Sequence, residues 1–274
     1  MRIALFQMTA GVDPAVNAQA IVGAIAEARG LGADILFTPE MSGFLDRDKD
    51  RSAVTVRTET EDMVLKAVRA AAKEQGLWVQ LGSLAILNGA GPKRSNRSYL
   101  IDDQGEVRAH YDKIHLFDVD LPTGESWRES NSYEGGETPV LAQTPWGKLG
   151  LTICYDLRFP DLFCALSNGG ADFVAVPAAF TVPTGEAHWH VLLRARAIEG
   201  AMFVIATGQV GTHEDGRQTY GHSLVIDPWG TVLLDAGDKP GLYIVDLPLE
   251  RLADVRARIP VLQHRKPIGA VLQS

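Results

Sequence analysis

Gly170-Ala171-Asp172-Phe173-Val174-Ala175-Val176-Pro177 repeats a pattern already present at Gly32-Ala33-Asp34-Ile35-Leu36-Phe37-Thr38-Pro39. In both copies Gly-Ala-Asp leads into a short apolar run that stops at proline. Such runs read as strands buried on both faces, as in the parallel part of a sheet. A second pair of markers supports a duplication. Ser98-Tyr99-Leu100-Ile101-Asp102 continues through Gly105 to Val107, and Ser223-Leu224-Val225-Ile226-Asp227 continues through Gly230 to Val232. Both read as hairpins turned at Asp-x-x-Gly. Between the markers each half holds a helix and then a strand, at 63–75 and 77–81, and at 187–199 and 202–207. Two β–α–β–α–β–β halves predict an α/β fold in which two sheets pack on each other with helices outside. No low-complexity linker parts the halves, so residues 1–274 read as one domain with pseudo-twofold symmetry.

Local signals fit this plan. Asp13 is a good N-cap and Pro14 a good first helical residue. Val16, Ala20, Ile21, Ala24, Ile25 and Ala28 then fall on one predicted helix face, and Gly30 and Gly32 stop the helix. Thr58-x-x-Glu61 matches a capping box before the next helix. The first half is longer than the second between its markers. The extra residues point to the charged segment Leu45-Asp46-Arg47-Asp48-Lys49-Asp50-Arg51, either a substrate loop or lid, or a solvated excursion.

Composition narrows the function classes. An apolar fraction of 46% and a charged fraction of 22% suit a globular protein with a sizeable core. A net charge of -8 without a basic cluster argues against nucleic-acid partners. No apolar stretch is long enough for a membrane helix. Met1–Met8 reads as a first strand and not as a signal sequence. Cys154 and Cys164 make no disulfide framework, which favours a reducing, cytoplasmic setting.

Cys154 ends the apolar run Leu149-Gly150-Leu151-Thr152-Ile153 and precedes Tyr155-Asp156-Leu157-Arg158-Phe159-Pro160. A strand that stops at cysteine and turns into a proline-opened helix presents a thiol. A lone cysteine is more often a small core residue. Two other segments favour the thiol: Thr38-Pro39-Glu40-Met41 and Tyr111-Asp112-Lys113-Ile114-His115. Each sets an ionisable group at or just beyond a strand end, where functional groups gather in α/β sheets. A cysteine nucleophile needs a base, charge stabilisation for an oxyanion, and a proton donor for the leaving group. No histidine stands in a cysteine-protease setting. Glu40 would be the base, and Lys113 would stabilise the oxyanion and favour thiolate.

At these positions the chain resembles the nitrilase superfamily of carbon–nitrogen hydrolases, over essentially its whole length. The superfamily's Glu–Lys–Cys triad maps to Glu40, Lys113 and Cys154. A second family glutamate maps to Glu129 in Arg128-Glu129-Ser130-Asn131. The resemblance implies an αββα sandwich, a small-molecule amide substrate, no cofactor, and a homodimer or higher homo-oligomer. It also implies a thioester route. Glu40 takes the Cys154 proton as sulfur attacks the amide carbonyl. Lys113 and the Tyr155 backbone N–H hold the oxyanion. Glu129 positions Lys113, substrate or water.

Longer segments resemble the Nit branch: Ala187-His188-Trp189, Leu193-Arg194-Ala195-Arg196-Ala197-Ile198-Glu199, Tyr220-Gly221-His222-Ser223, Asp227-Pro228-Trp229-Gly230 and Gln263-His264-Arg265. That branch holds the deaminated glutathione amidases and the omega-amidases. The resemblance implies cleavage of deaminated glutathione to 2-oxoglutarate and cysteinylglycine, with 2-oxoglutaramate as the runner-up. Nitrile hydrolysis and a catalytically idle scaffold are the rivals. Phe180 and Thr181, after the second proline-ended strand, are expected to line the pocket. Arg194 and Arg196 either bind a substrate carboxylate or make structural ion pairs, and Glu199 reads as structural. His188 and His190 diverge on a helix, and no zinc motif is present, so no metal is expected. Cys164 is expected in the core.

Overall fold

Both Gly-Ala-Asp segments lead into three-residue strands with no exposed residue, Ile35–Phe37 and Phe173–Ala175. The structure, a computed structural model, describes residues 1–88, 91, 93–120, 124 and 126–273. In the first half β1 (Arg2–Gln7), α1 (Pro14–Gly30), β2 (Ile35–Phe37), α2 (Met63–Gln75), β3 (Trp78–Leu87), β4 (Arg94–Ile101) and β5 (Val107–Asp112) follow in order. After β6 (Val140–Thr144) the second half runs β7 (Gly147–Leu151), α3 (Pro160–Asn168), β8 (Phe173–Ala175), α4 (His190–Gly200), β9 (Phe203–Ala206), β10 (Leu224–Ile226) and β11 (Val232–Asp235), then β12 (Gly241–Asp246).

The strand orders are β12-β1-β2-β3-β4-β5 and β11-β10-β9-β8-β7-β6. In each sheet three successive strands pair in parallel, β1-β2-β3 and β7-β8-β9. A hairpin then continues antiparallel, β4-β5 and β10-β11. The trailing strands change sheets. β6 leaves the first half to pair antiparallel with β7, and β12 returns from the second half to pair antiparallel with β1. The duplication seen in the sequence is therefore a duplication of topology.

Alternation along the strands sorts residues into layers. Ile3, Leu5, Ile35 and Phe37 share a core with Leu149, Leu151, Phe173 and Ala175 of the other sheet. Ala4 and Leu36 face the opposite way and join Ile21, Ile25, Val64 and Val68 of α1 and α2. Leu162, Phe163, Leu193 and Ala197 bring α3 and α4 onto the second sheet. The result is a four-layer αββα sandwich. Each fully buried Leu, Ile or Phe contributes about 1.5–3 kcal/mol.

The two hairpin turns are built alike. Gly105 and Gly230 donate to the carbonyls of Asp102 and Asp227, both at 2.9 Å. Their φ values of +75° and +86° suit glycine. Each aspartate also accepts two backbone N–H groups across its turn, Gln104 and Glu106 on Asp102, Trp229 and Thr231 on Asp227.

Three local expectations need correction. Val16 is 60% exposed and Ala20 is also exposed. The buried face of α1 runs through Asn17, Ala18, Ile21, Ala24, Ile25 and Ala28. Asn17 is inside because its amide ties down Gly11 and Gly43. Asp62, not Thr58, caps α2, accepting from Leu65 N at 2.7 Å. Thr58 and Glu61 bond to each other through their side chains. The helix expected at 187–199 opens with a π-helical turn, Gly185–Trp189, before α4.

Candidate active site

Beyond β7 the chain reaches Cys154 in a left-handed conformation, φ +50°. That is unusual for a residue with a side chain and marks a held turn. Cys154 N donates to Pro177 O at 2.8 Å, so the elbow hangs on the end of the second proline-stopped strand. A 3-10 turn, Cys154–Arg158, follows, and α3 begins at Pro160. The fully buried Asp156 braces the turn. It accepts from Ile153 N at 2.9 Å and Tyr111 Oη at 2.7 Å. It also meets His115 through N at 3.0 Å and Nδ1 at 2.7 Å. One carboxylate thus ties the Cys154 elbow to the segment that carries Lys113.

The Glu40 loop docks on an irregularity in β3. A Cβ on Gly82 would lie 2.1 Å from Thr38 O and 2.2 Å from Pro39 O, so only glycine lets the loop approach. Gly82 N donates to Thr38 Oγ1 and Met41 N to Ser83 Oγ, both at 2.8 Å. Gln209 Nε2 donates to Glu40 O at 3.0 Å. The buried Glu40 carboxylate accepts from Lys113 Nζ and Asn96 Nδ2 at 2.9 Å through Oε1. Its Oε2 accepts from Ala179 N at 2.9 Å. Ala179 belongs to the second-half counterpart of the Glu40 loop.

Lys113 is almost fully buried. Its Nζ also donates to Glu129 Oε1 at 3.1 Å and Oε2 at 2.9 Å. Glu129 opens a short 3-10 turn and further accepts from Phe117 N at 2.7 Å and Asn96 Nδ2 at 3.2 Å. Glu40, Lys113, Glu129 and Cys154 therefore share one buried cluster.

Its electrostatics define the resting protonation. Burial pushes Glu40 up, but Lys113 and hydrogen bonds from Cys154, Lys113 and Asn96 outweigh it and hold the carboxyl below its usual value. Burial and the Glu40 charge push the Cys154 thiol well up, against the opposing pull of Lys113. Burial works against the Lys113 ammonium, but Glu129 and Glu40 keep it well above the ordinary lysine value. The thiol is thus pushed toward its protonated form beside a carboxylate pulled toward its charged form. That is the arrangement for general-base activation, not for a standing thiolate.

The cluster opens into a cavity of about 510 Å³. Cys154, Tyr155, Phe180 and Thr181 line it, as do Asp46–Lys49 of the longer first-half segment. Arg194 and Arg196 do not reach it. Arg194 Nε donates to Gly230 O at 2.9 Å. Arg196 clasps Leu157 O at 3.1 and 2.9 Å and pairs with Glu199 at 2.7 Å. Both hold backbone instead of substrate, because α4 turns that face to the neighbouring turns. Cys164, expected in the core, is only partly buried on α3. His190 packs on His222, not His188, and both meet Asp235, His190 Nε2 at Oδ2 (3.0 Å) and His222 Nδ1 at Oδ1 (2.9 Å). Asn96, Ala179, Trp127 and Arg217 are site residues that sequence reasoning missed. Asn96 sits in β4, two residues before the marked hairpin segment, yet nothing local distinguishes it from a surface amide.

Residues 2–257 match the family model of the carbon–nitrogen hydrolases, and the chain belongs to this family of enzymes. Among named relatives, the deaminated glutathione amidase of Yersinia enterocolitica is 38% identical over 272 residues, 98% of this chain and 94% of that one. The C. elegans NitFhit protein superposes with a TM-score of 0.89 at 36% identity, over 97% of this chain and 65% of that one. A variant of the amidase from Nesterenkonia sp. AN1 carries acrylamide added at its active-site cysteine. It superposes with a TM-score of 0.78 at 32% identity, over 95% of this chain and 98% of that one. Among the described residues no helix is long and apolar enough to cross a membrane.

Proposed function

We propose that the chain is a thiol amidohydrolase that cleaves deaminated glutathione to 2-oxoglutarate and cysteinylglycine. The observation that carries the chemistry is the Cys154 thiol buried in one cluster with a Glu40 carboxylate that Lys113 keeps charged. The relative from Yersinia, matched along nearly its full length, supports the substrate. A cavity of about 510 Å³ suits a ligand of tripeptide size.

As Cys154 Sγ bonds to the amide carbon, its proton passes to Glu40. The carbonyl oxygen becomes negative between the Tyr155 backbone N–H and Lys113, which turns toward it a hydrogen now shared by the two Glu129 oxygens. The carbon–nitrogen bond breaks as Glu40 returns the proton to the leaving nitrogen, giving cysteinylglycine and a thioester. Water, giving its proton to Glu40, attacks the thioester, and 2-oxoglutarate leaves as the thiol re-forms. Glu129 holds Lys113 in place. Phe180 and Thr181 line the substrate path. No step calls for a cofactor or metal.

We also infer one domain over residues 1–274, a homodimer or higher homo-oligomer, and a cytoplasmic setting, on the strength of the family resemblance and the acidic, cysteine-poor composition.

The test is to supply deaminated glutathione, 2-oxoglutaramate and glutathione in parallel, with Cys154→Ala as control. Preferred hydrolysis of deaminated glutathione, absent in the variant, is expected. Preference for 2-oxoglutaramate would reassign the substrate and keep the chemistry; silence on all three would remove the amidase reading.

A further inference from the structure

We infer that Arg217, grouped with Arg47 at the Trp127 ring, is a carboxylate-binding residue of the cavity and sets a preference for acidic amides. This rests on the amidase reading above and adds to it a residue for recognition.

The argument begins from the charges that line the cavity. The carboxylates are already met within the protein. Glu40 and Glu129 share Lys113. Asp46 is held by Arg51, through Nε and Nη2, and by the Asp48 amide. Of the cations, Arg128 is matched by a two-pronged bond to Asp120, both contacts at 2.9 Å.

Arg217 is different. Its side chain is only 16% exposed, and its ion pair with Asp215 is a loose one, Nη2 to Oδ2 at 3.4 Å. Its Nε is buried and has no hydrogen-bond partner among the described residues. A buried donor of this kind is costly unless something binds it. The Arg217 guanidinium lies 4.7 Å from the Trp127 ring centroid and that of Arg47 lies 4.9 Å from it. Trp127 also contributes a buried Nε1 with no partner among the described residues. Arg94, also lining the cavity, donates to the neutral hydroxyl of Ser52.

The planar fork of arginine matches a carboxylate with two parallel bonds, which lysine does not reproduce. Deaminated glutathione offers a 2-oxo acid carboxylate at one end and a glycine carboxylate at the other. The same chemistry serves for both, so the experiment separates them.

Alkylation of Cys154 by iodoacetamide is followed by intact mass, with 2-oxoglutarate or alanylglycine as protecting anion. Alanylglycine is a thiol-free stand-in for cysteinylglycine, and alanylglycinamide is its neutral control. In the wild type one anion slows alkylation and the neutral control does not. In Arg217→Gln the concentration needed rises roughly 10- to 100-fold, and less in Arg217→Lys. The anion affected identifies the carboxylate. With deaminated glutathione as substrate, KM rises by a similar factor while kcat changes little, the sign of lost uniform binding.

The proposal is overturned if neither anion protects the wild type, if protection in both variants is unchanged from the wild type, or if kcat falls with KM unchanged. Arg217→Lys keeps the charge and decides the matter should Arg217→Gln fail to fold. Anion protection that depends on Arg217, in an enzyme inactive on deaminated glutathione, would leave the carboxylate site standing and sink the substrate assignment alone.

Discussion

Glu40 Oε2 accepts the backbone amide of Ala179 at 2.9 Å, and the two residues come from equivalent loops of the two halves. One loop supplies a carboxylate and its counterpart supplies the hydrogen bond that aims it. Cys154 leans on the same counterpart loop through Pro177 O. The buried cluster is thus assembled across the pseudo-twofold seam, and several expectations follow from how the parts are held.

Glu40→Gln removes the proposed base but keeps most of the hydrogen-bonding shape. Turnover should fall by roughly 10²–10⁴-fold, with the thermal midpoint little changed. Because Lys113 holds Glu40 below its ordinary value despite burial, the base stays charged at lower pH than a free glutamate. The acid limb of kcat/KM should therefore lie below about pH 4.3, the ordinary glutamate value. A limb near pH 6 in a full pH–rate profile would contradict this.

Lys113→Met leaves Glu40 and Glu129 facing each other in a buried site without their shared cation. Breaking such a pair costs about 3–5 kcal/mol. Urea denaturation should show that loss, and activity should vanish. The variant's carboxylates should also take up a proton on folding, which potentiometric titration would detect.

Gly82→Ala puts a methyl group into the carbonyls of Thr38 and Pro39. The Glu40 loop must move, while the β3 ladder persists on both sides. A shift of about 1 Å at a reacting group costs on the order of 10²-fold in rate. We expect kcat to drop far more than stability. Equal activity in the alanine variant would show that loop docking does not set Glu40.

His213 is buried between Ala10 O and Thr219 Oγ1, each at 2.8 Å. Burial, aided by nearby Arg217, holds its imidazole below the ordinary value despite the bond to Ala10. Below about pH 6.5 the unfolded chain binds the proton that the folded chain resists. Its stabilising contribution is complete above that pH and declines as pH falls, by at most about 1.4 kcal/mol per unit. Urea midpoints at pH 7.5, 6.5 and 5.5 should drop less steeply in His213→Gln than in the wild type.

Much of this architecture can be read without coordinates because the repeat is written in local chemistry. Strands stop at Pro39 and Pro177, and turns need Gly105 and Gly230. Glu40, Lys113 and Cys154 stand at or just past strand ends, so their convergence follows from topology. Glu129 came only from family resemblance; in the chain it is one loop carboxylate among many. Asn96, Ala179 and Arg217 were not legible for a shared reason. Asn96 is one residue of an ordinary strand, Ala179 acts through its backbone, and Arg217 acquires its meaning from Trp127 far away in sequence. The helix errors are of the same kind. Asn17 displaces Val16 from the buried face because two loops, not the helix itself, require its amide.

The exchange of trailing strands has a kinetic consequence. Pairing of Arg2 with Asp246 closes nearly the whole chain, and β6 binds the second half before that half is complete. Contacts between residues so distant in sequence form late and slowly. Secondary structure should return early in refolding, while Glu40 and Cys154 meet only when both exchanges are made. Recovery of catalysis would then be a clock for the last step of folding, and synthesis would yield a silent protein until the final strand is released.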